Sequence, residues 1–68
     1  MSFKNTLLNG CKEVHTEAEV PSIGENDHID LFCTTGAYAG IYFPAHDDDE
    51  ARLIAHDLLS ESDTVYVL

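Results

Sequence analysis

Glu13, His15, Glu17 and Glu19 stand at every second position, and Asp47, Asp48, Asp49 and Glu50 form an unbroken acidic run. Along an extended strand, alternate side chains project from one face and repeat at about 6.7 Å, twice the rise per residue. That step is comparable with the spacing of neighbouring phosphates on a nucleic-acid strand. Carboxylates so placed could occupy positions on a basic protein surface that phosphates normally take. Rings beside them could fill the places where bases stack. Phe32, Tyr38 and Tyr42 are rings of that kind, and aromatic residues anchor protein–protein interfaces in general. The candidate partner-binding set is therefore Glu13, Glu17, Glu19, Asp30, Phe32, Tyr38, Tyr42, Asp47, Asp48, Asp49 and Glu50. The competing reading is a solvated acidic face that only keeps a small protein soluble; the three rings have no part in that.

A second constellation is Cys11-x3-His15, twelve residues, then His28-x4-Cys33. Two pairs of soft or borderline ligands with a dozen residues between them is an arrangement that tetrahedral zinc sites use. Two features oppose it. On a strand, His28 and Cys33 differ by an odd number and point to opposite faces, and Cys33 falls beside Ile29 and Leu31 on the core side. The expectation is no metal and no cofactor, with a zinc-stabilised structural module on Cys11, His15, His28 and Cys33 as the alternative. His15 near Glu13 and Glu17, or His46 beside Asp47, could pair as base and orienter. No nucleophile elbow, phosphate-cradling glycine loop or metalloprotease helix accompanies them. An enzyme is not expected.

Composition points the same way. Thirteen carboxylates stand against three basic side chains in 68 residues, a formal net charge of -10. Such a field repels nucleic acid and anionic membrane and attracts basic protein surfaces. With Lys4, Lys12 and Arg52 as its only cations, the chain is no ordinary nucleic-acid-binding domain. A hydrophobic fraction of 44% argues against disorder. Residues 1–68 read as a single domain with a small core and modest stability. No stretch approaches the roughly 18 apolar residues needed to span a bilayer, and Met1 to Asn5 lacks the basic and apolar pattern of a secretory signal. A cytoplasmic location is expected. Two cysteines are too few for a disulfide framework and should be free thiols.

The elements that must position these groups follow from periodicity. Ala51, Ile54, Ala55 and Leu58 recur at helical spacing, so an amphipathic helix is predicted over 51–59. Asp47 with Glu50 has the form of a capping box before it. Ser60 to Asp63 ends the helix, and Thr64 to Leu68 alternates as a last strand. His28 to Thr34 and Tyr38 to Phe43 read as a hairpin closed by Thr35-Gly36-Ala37. Cys33 then pairs with Ala39, Leu31 with Ile41 and Ile29 with Phe43, and Pro44 stops the second strand. Glu13 to Val20 alternates as an earlier strand, closed by Pro21-Ser22. The first ten residues suit either a short helix capped by Ser2 and carrying Phe3, Leu7 and Leu8, or a strand. The order strand, strand, strand, helix, strand predicts an α+β fold: a small antiparallel or mixed sheet of three to four strands with one main helix on one face. The opposite face should then be exposed and carry the acids and rings, with Tyr66 joining them from the last strand.

In its length, its acidic segment Glu13-Val14-His15-Thr16-Glu17-Ala18-Glu19 and its Asp47-Asp48-Asp49-Glu50 run, the chain resembles the small acidic inhibitors of phages and mobile elements. These are the anti-CRISPR, anti-restriction and DNA-mimic proteins; they share no diagnostic motif, and no residue role carries over from them. The resemblance implies a stoichiometric inhibitor of a nucleic-acid-handling complex in a host bacterial cytoplasm. It would act on the basic surface of a nucleic-acid-binding protein, without direct contact to nucleic acid or membrane, as a monomer or homodimer. An obligate small subunit of a complex is a further alternative.

Overall fold

The computed structural model describes residues 10–68; the opening segment, read above as short helix or strand, lies outside the described residues. Strands β1 (Lys12–Val14), β2 (Ile29–Phe32) and β3 (Phe43–Ala45) precede helix α1 (Asp48–Leu59), and β4 (Val65–Val67) follows it. The strands form one sheet in the order β1-β4-β2-β3, with every neighbouring pair antiparallel. This is the α+β class expected. Val65-Tyr66-Val67 is a β-branched and aromatic run suited to a central strand, and β4 is hydrogen-bonded on both sides. The last strand therefore offers no free edge to a second copy; among the described residues the edges are β1 and β3.

Alternation along the strands sends one set of side chains toward α1. Val14, Ile29, Leu31, Cys33, Ala45, Val65 and Val67 meet Ala51, Ala55 and Leu58 of the helix, with Ile23 from the intervening loop. Ala51 and Ala55 are fully buried, and their small side chains let the helix backbone sit close to the sheet. Burying each large member, such as Leu31 or Leu58, stabilises by about 1.5–3 kcal/mol. The helix starts as its sequence predicts: Asp47 accepts the Glu50 N–H at 2.8 Å, and the Glu50 carboxylate accepts the His46 N–H at 2.6 Å.

Two strand expectations are corrected. The segment read as a strand over 13–20 leaves the sheet after Val14, and Glu17–Glu19 is a 3-10 turn. Glu19 causes this, because its Oε1 accepts the N–H groups of His15 and Thr16, each at 3.0 Å. Thr16-x-x-Glu19 is itself a helix-start pattern, and it prevails over the alternation. The carboxylates of Glu13, Glu17 and Glu19 consequently do not form a ladder at strand spacing.

The second correction concerns the hairpin. Its return strand is 43–45, not 38–43, and Ile29 pairs with Ala45 and Leu31 with Phe43. The register has slipped by two residues, which leaves Ile29, Leu31 and Phe43 on their expected face. Gly36 and Gly40 both take positive φ, at 85° and 83°, and the Gly40 N–H bonds the Cys33 carbonyl at 3.0 Å. The chain coils there before it returns, so Ile41, expected in the core, is 48% exposed. Pro44 lies inside β3 instead of ending the strand, as an edge strand permits.

Candidate functional site

The sheet face away from α1 is built in rows that cross the strands. Glu13 lies opposite Tyr66, and Tyr66 opposite Phe32. The Phe32 ring stacks on Tyr66 at 5.5 Å between centroids, with 28° between planes. Tyr42 extends the row on the far side of Phe32, at 4.6 Å and 27°. Asp30, opposite Pro44, opens the next row, and its carbonyl accepts the Leu68 N–H at 2.9 Å. Beyond it the rings of His28 and His46 sit 5.7 Å apart. Each has an acid beside it: His28 Nε2 is 3.7 Å from Asp30 Oδ1, and His46 Nδ1 is 3.4 Å from Glu50 Oε1.

The predicted set is divided by this geometry. Glu13, Asp30 and Tyr42 share the sheet face away from α1. Phe32 shares it too, but only 6% of its surface is exposed, and Tyr66 beside it is 3% exposed; neither is the open docking ring that alternation suggested. Tyr38 belongs to the other side, where its ring meets Phe43 edge-on at 5.8 Å and lines a cleft of about 150 Å³ with Ile54, Asp57 and Leu58. Glu17 and Glu19 sit on the 3-10 turn, and Glu17 Oε2 is 2.8 Å from His56 Nδ1.

The acidic run at the start of α1 has structural duties. Asp47 caps the helix and Glu50 holds the His46 N–H. Asp48 accepts the Ile23 N–H at 2.9 Å and the Ser22 hydroxyl at 3.2 Å, while Asp49 pairs with Arg52. The acids also complement the positive end of the helix dipole. Alternation along the last strand puts Tyr66 on this face, as its pairing with Phe32 bears out; the His28–His46 contact was not singled out in the sequence, because it depends on strand pairings that periodicity alone does not fix.

Two groups titrate away from their ordinary values. The hydrogen bond from the His15 N–H lowers the Glu19 carboxyl, with the Thr16 side chain and N–H adding to it. The hydrogen bond to Glu17, and then its charge, raise His56. Every carboxylate is exposed except Asp30, which is half-buried, so almost the whole negative charge is presented to solvent.

The zinc alternative is not assembled. Cys33 is fully buried in the core, with its thiol directed at the Thr35 carbonyl at 3.3 Å, whereas His28 lies on the opposite face beside His46. Among the described residues no group of three or more His, Cys, Asp or Glu side chains is placed to hold a metal ion. No helix among them is long and apolar enough to cross a membrane.

The fold defines a small α+β protein, a four-stranded antiparallel sheet with one helix across one side. No family model, curated protein or solved structure is similar enough to this chain to count as a match.

Proposed function

We propose that this chain is an acidic binding protein that inhibits a nucleic-acid-handling complex by occupying its basic groove. One observation carries the reading: a net charge of -10 is displayed on a folded surface in which no charged side chain is buried among the described residues. Arg52, one of the few cations, is already engaged by Asp49. A field of one sign steers association with a surface of the other sign and raises the on-rate, with a steep dependence on salt. The exposed acids come from β1, the 3-10 turn, α1 and the connecting segments and not from one strand face, which suits enclosure in a groove better than docking through a flat face.

The test is competition. Immobilised protein is used to capture partners from a bacterial lysate at low salt, and each captured protein is purified and assayed for nucleic-acid binding with and without the chain. The expected result is a partner whose nucleic-acid binding falls in proportion to added chain. Replacing Glu17 and Asp30 by Lys should remove that effect while the thermal transition persists. Partners that bind no nucleic acid, or that keep it fully in the complex, would overturn the proposal.

A further inference from the structure

We infer that the sheet face away from α1 seats an arginine of the partner, its guanidinium lying on the exposed side of Tyr42 and its N–H groups directed at Asp30. This rests on the reading above that the partner is basic, and adds which cation the site prefers and where it goes.

Two adjacent side chains are each unusual in this molecule. Tyr42 is 54% exposed, more than Tyr38 at 37%, yet its ring is held in place, because one side is stacked on Phe32 and Phe32 on Tyr66. A ring fixed before binding loses little freedom when a partner covers its other side. Asp30 is the one half-buried carboxylate, so a charge meeting it is screened less than one meeting the exposed acids. Asp30 lies opposite Pro44, and Tyr42, two residues before Pro44, stacks on Phe32, the next residue after Asp30 on the same face of β2, so one long side chain could reach both. His28 Nε2 is 3.7 Å from Asp30 Oδ1, longer than a hydrogen bond. Leu68, 61% exposed and bonded through its N–H to the Asp30 carbonyl, offers apolar surface nearby for the arginine stem.

The geometry discriminates between cations. A planar guanidinium can stack on a ring and fork its N–H groups toward a carboxylate at once, whereas an ammonium is a compact, strongly hydrated charge.

Hexa-arginine and hexa-lysine peptides titrated into the protein at equal ionic strength test this. The arginine peptide should bind about fivefold more tightly, the ratio a single exposed cation–π contact supports. The difference should vanish in Tyr42→Leu, which keeps apolar bulk without a π face, and in Asp30→Asn, and it should persist in Tyr42→Phe. Equal binding of both peptides, weakened by salt, overturns the arginine seat while leaving the acidic-inhibitor reading intact. Binding of neither peptide at low salt removes the basic-partner reading and the seat with it.

Discussion

Oε2 of Glu17 lies 2.8 Å from Nδ1 of His56, fastening the 3-10 turn to the exposed side of α1. The contact links stability to pH with a definite sign. Hydrogen bonding to Glu17, reinforced by its negative charge, raises His56 above its ordinary value of 6.5. A group whose folded pKa is raised contributes stability that is complete below the unfolded pKa and is lost as pH climbs through the folded one. Thermal melts between about pH 6 and 8, the range where histidine changes charge, should therefore show a falling midpoint that flattens in His56→Ala and in Glu17→Gln. Both side chains are well exposed, so the effect is small and should shrink further with salt. Equal slopes for wild type and His56→Ala would refute the linkage.

The acids at the helix start should separate by their hydrogen bonds, not by their charge. Asp48 satisfies the Ile23 N–H beside a core side chain only 6% exposed, so Asp48→Ala should cost about 1–3 kcal/mol, the penalty for a donor left without its partner. Asp47→Ala removes the helix cap and should cost about 1 kcal/mol. The Asp49 side chain is 88% exposed and meets only Arg52 among the described contacts; its replacement should change stability by under about 0.5 kcal/mol. Urea unfolding of the three variants checks the order, and similar losses in all three would mean that charge, not capping, governs this segment.

How much of this was legible depended on which local signals stood alone. Ala51, Ala55 and Leu58 at helical spacing behind Asp47 and Glu50 marked α1 unambiguously, because cap and periodicity agreed. Ile29, Leu31 and Cys33 marked the core face of β2 for the same reason. Between Val14 and Val20 two signals conflicted, strand alternation and the Thr16-x-x-Glu19 pattern, and the local hydrogen bonds of Glu19 decided for the turn. In the hairpin, alternation fixed the face and not the register, since a shift by two residues leaves the pattern unchanged. The two glycines with positive φ settled where the chain returned. The candidate site suffered most, because its residues had been grouped by strand parity. Tyr38 entered the coil and went to the helix side, and the turn took Glu17 and Glu19 out of the sheet.

That coil supplies its own test. Gly36 has φ of 85°, and a Cβ added there would run into the backbone carbonyl of Glu61. The 33–42 connection thus packs directly against the segment that leads from α1 into β4, an approach only glycine allows. Gly40 has a similar φ of 83° but open space around it. Gly40→Ala should cost about 1–2 kcal/mol, the ordinary penalty for a left-handed backbone. Gly36→Ala should cost clearly more, because strain and collision add, and its amide resonances should move at Glu61 and Ser62. Equal losses for the two variants would show that the approach to Glu61 relaxes freely.

Salt should act in opposite directions on folding and on binding, and this follows from the charge alone. The molecule measures 33 × 25 × 19 Å, and the screening length is about 30 Å at 0.01 M ionic strength, about 10 Å at 0.1 M and about 3 Å at 1 M. At the lowest of these every carboxylate feels the others across the whole fold; at the highest only immediate neighbours interact. Repulsion dominates that sum at -10, because attractive pairs such as Arg52–Asp49 are few against so many acids. The midpoint of thermal unfolding should rise by several degrees between about 0.01 and 0.3 M sodium chloride, the change that about 1 kcal/mol produces in a domain this small. Over the same interval the affinity for a basic peptide should fall steeply. A midpoint that stayed level while affinity fell would mean that local pairs such as Glu17–His56 already offset the repulsion within the fold.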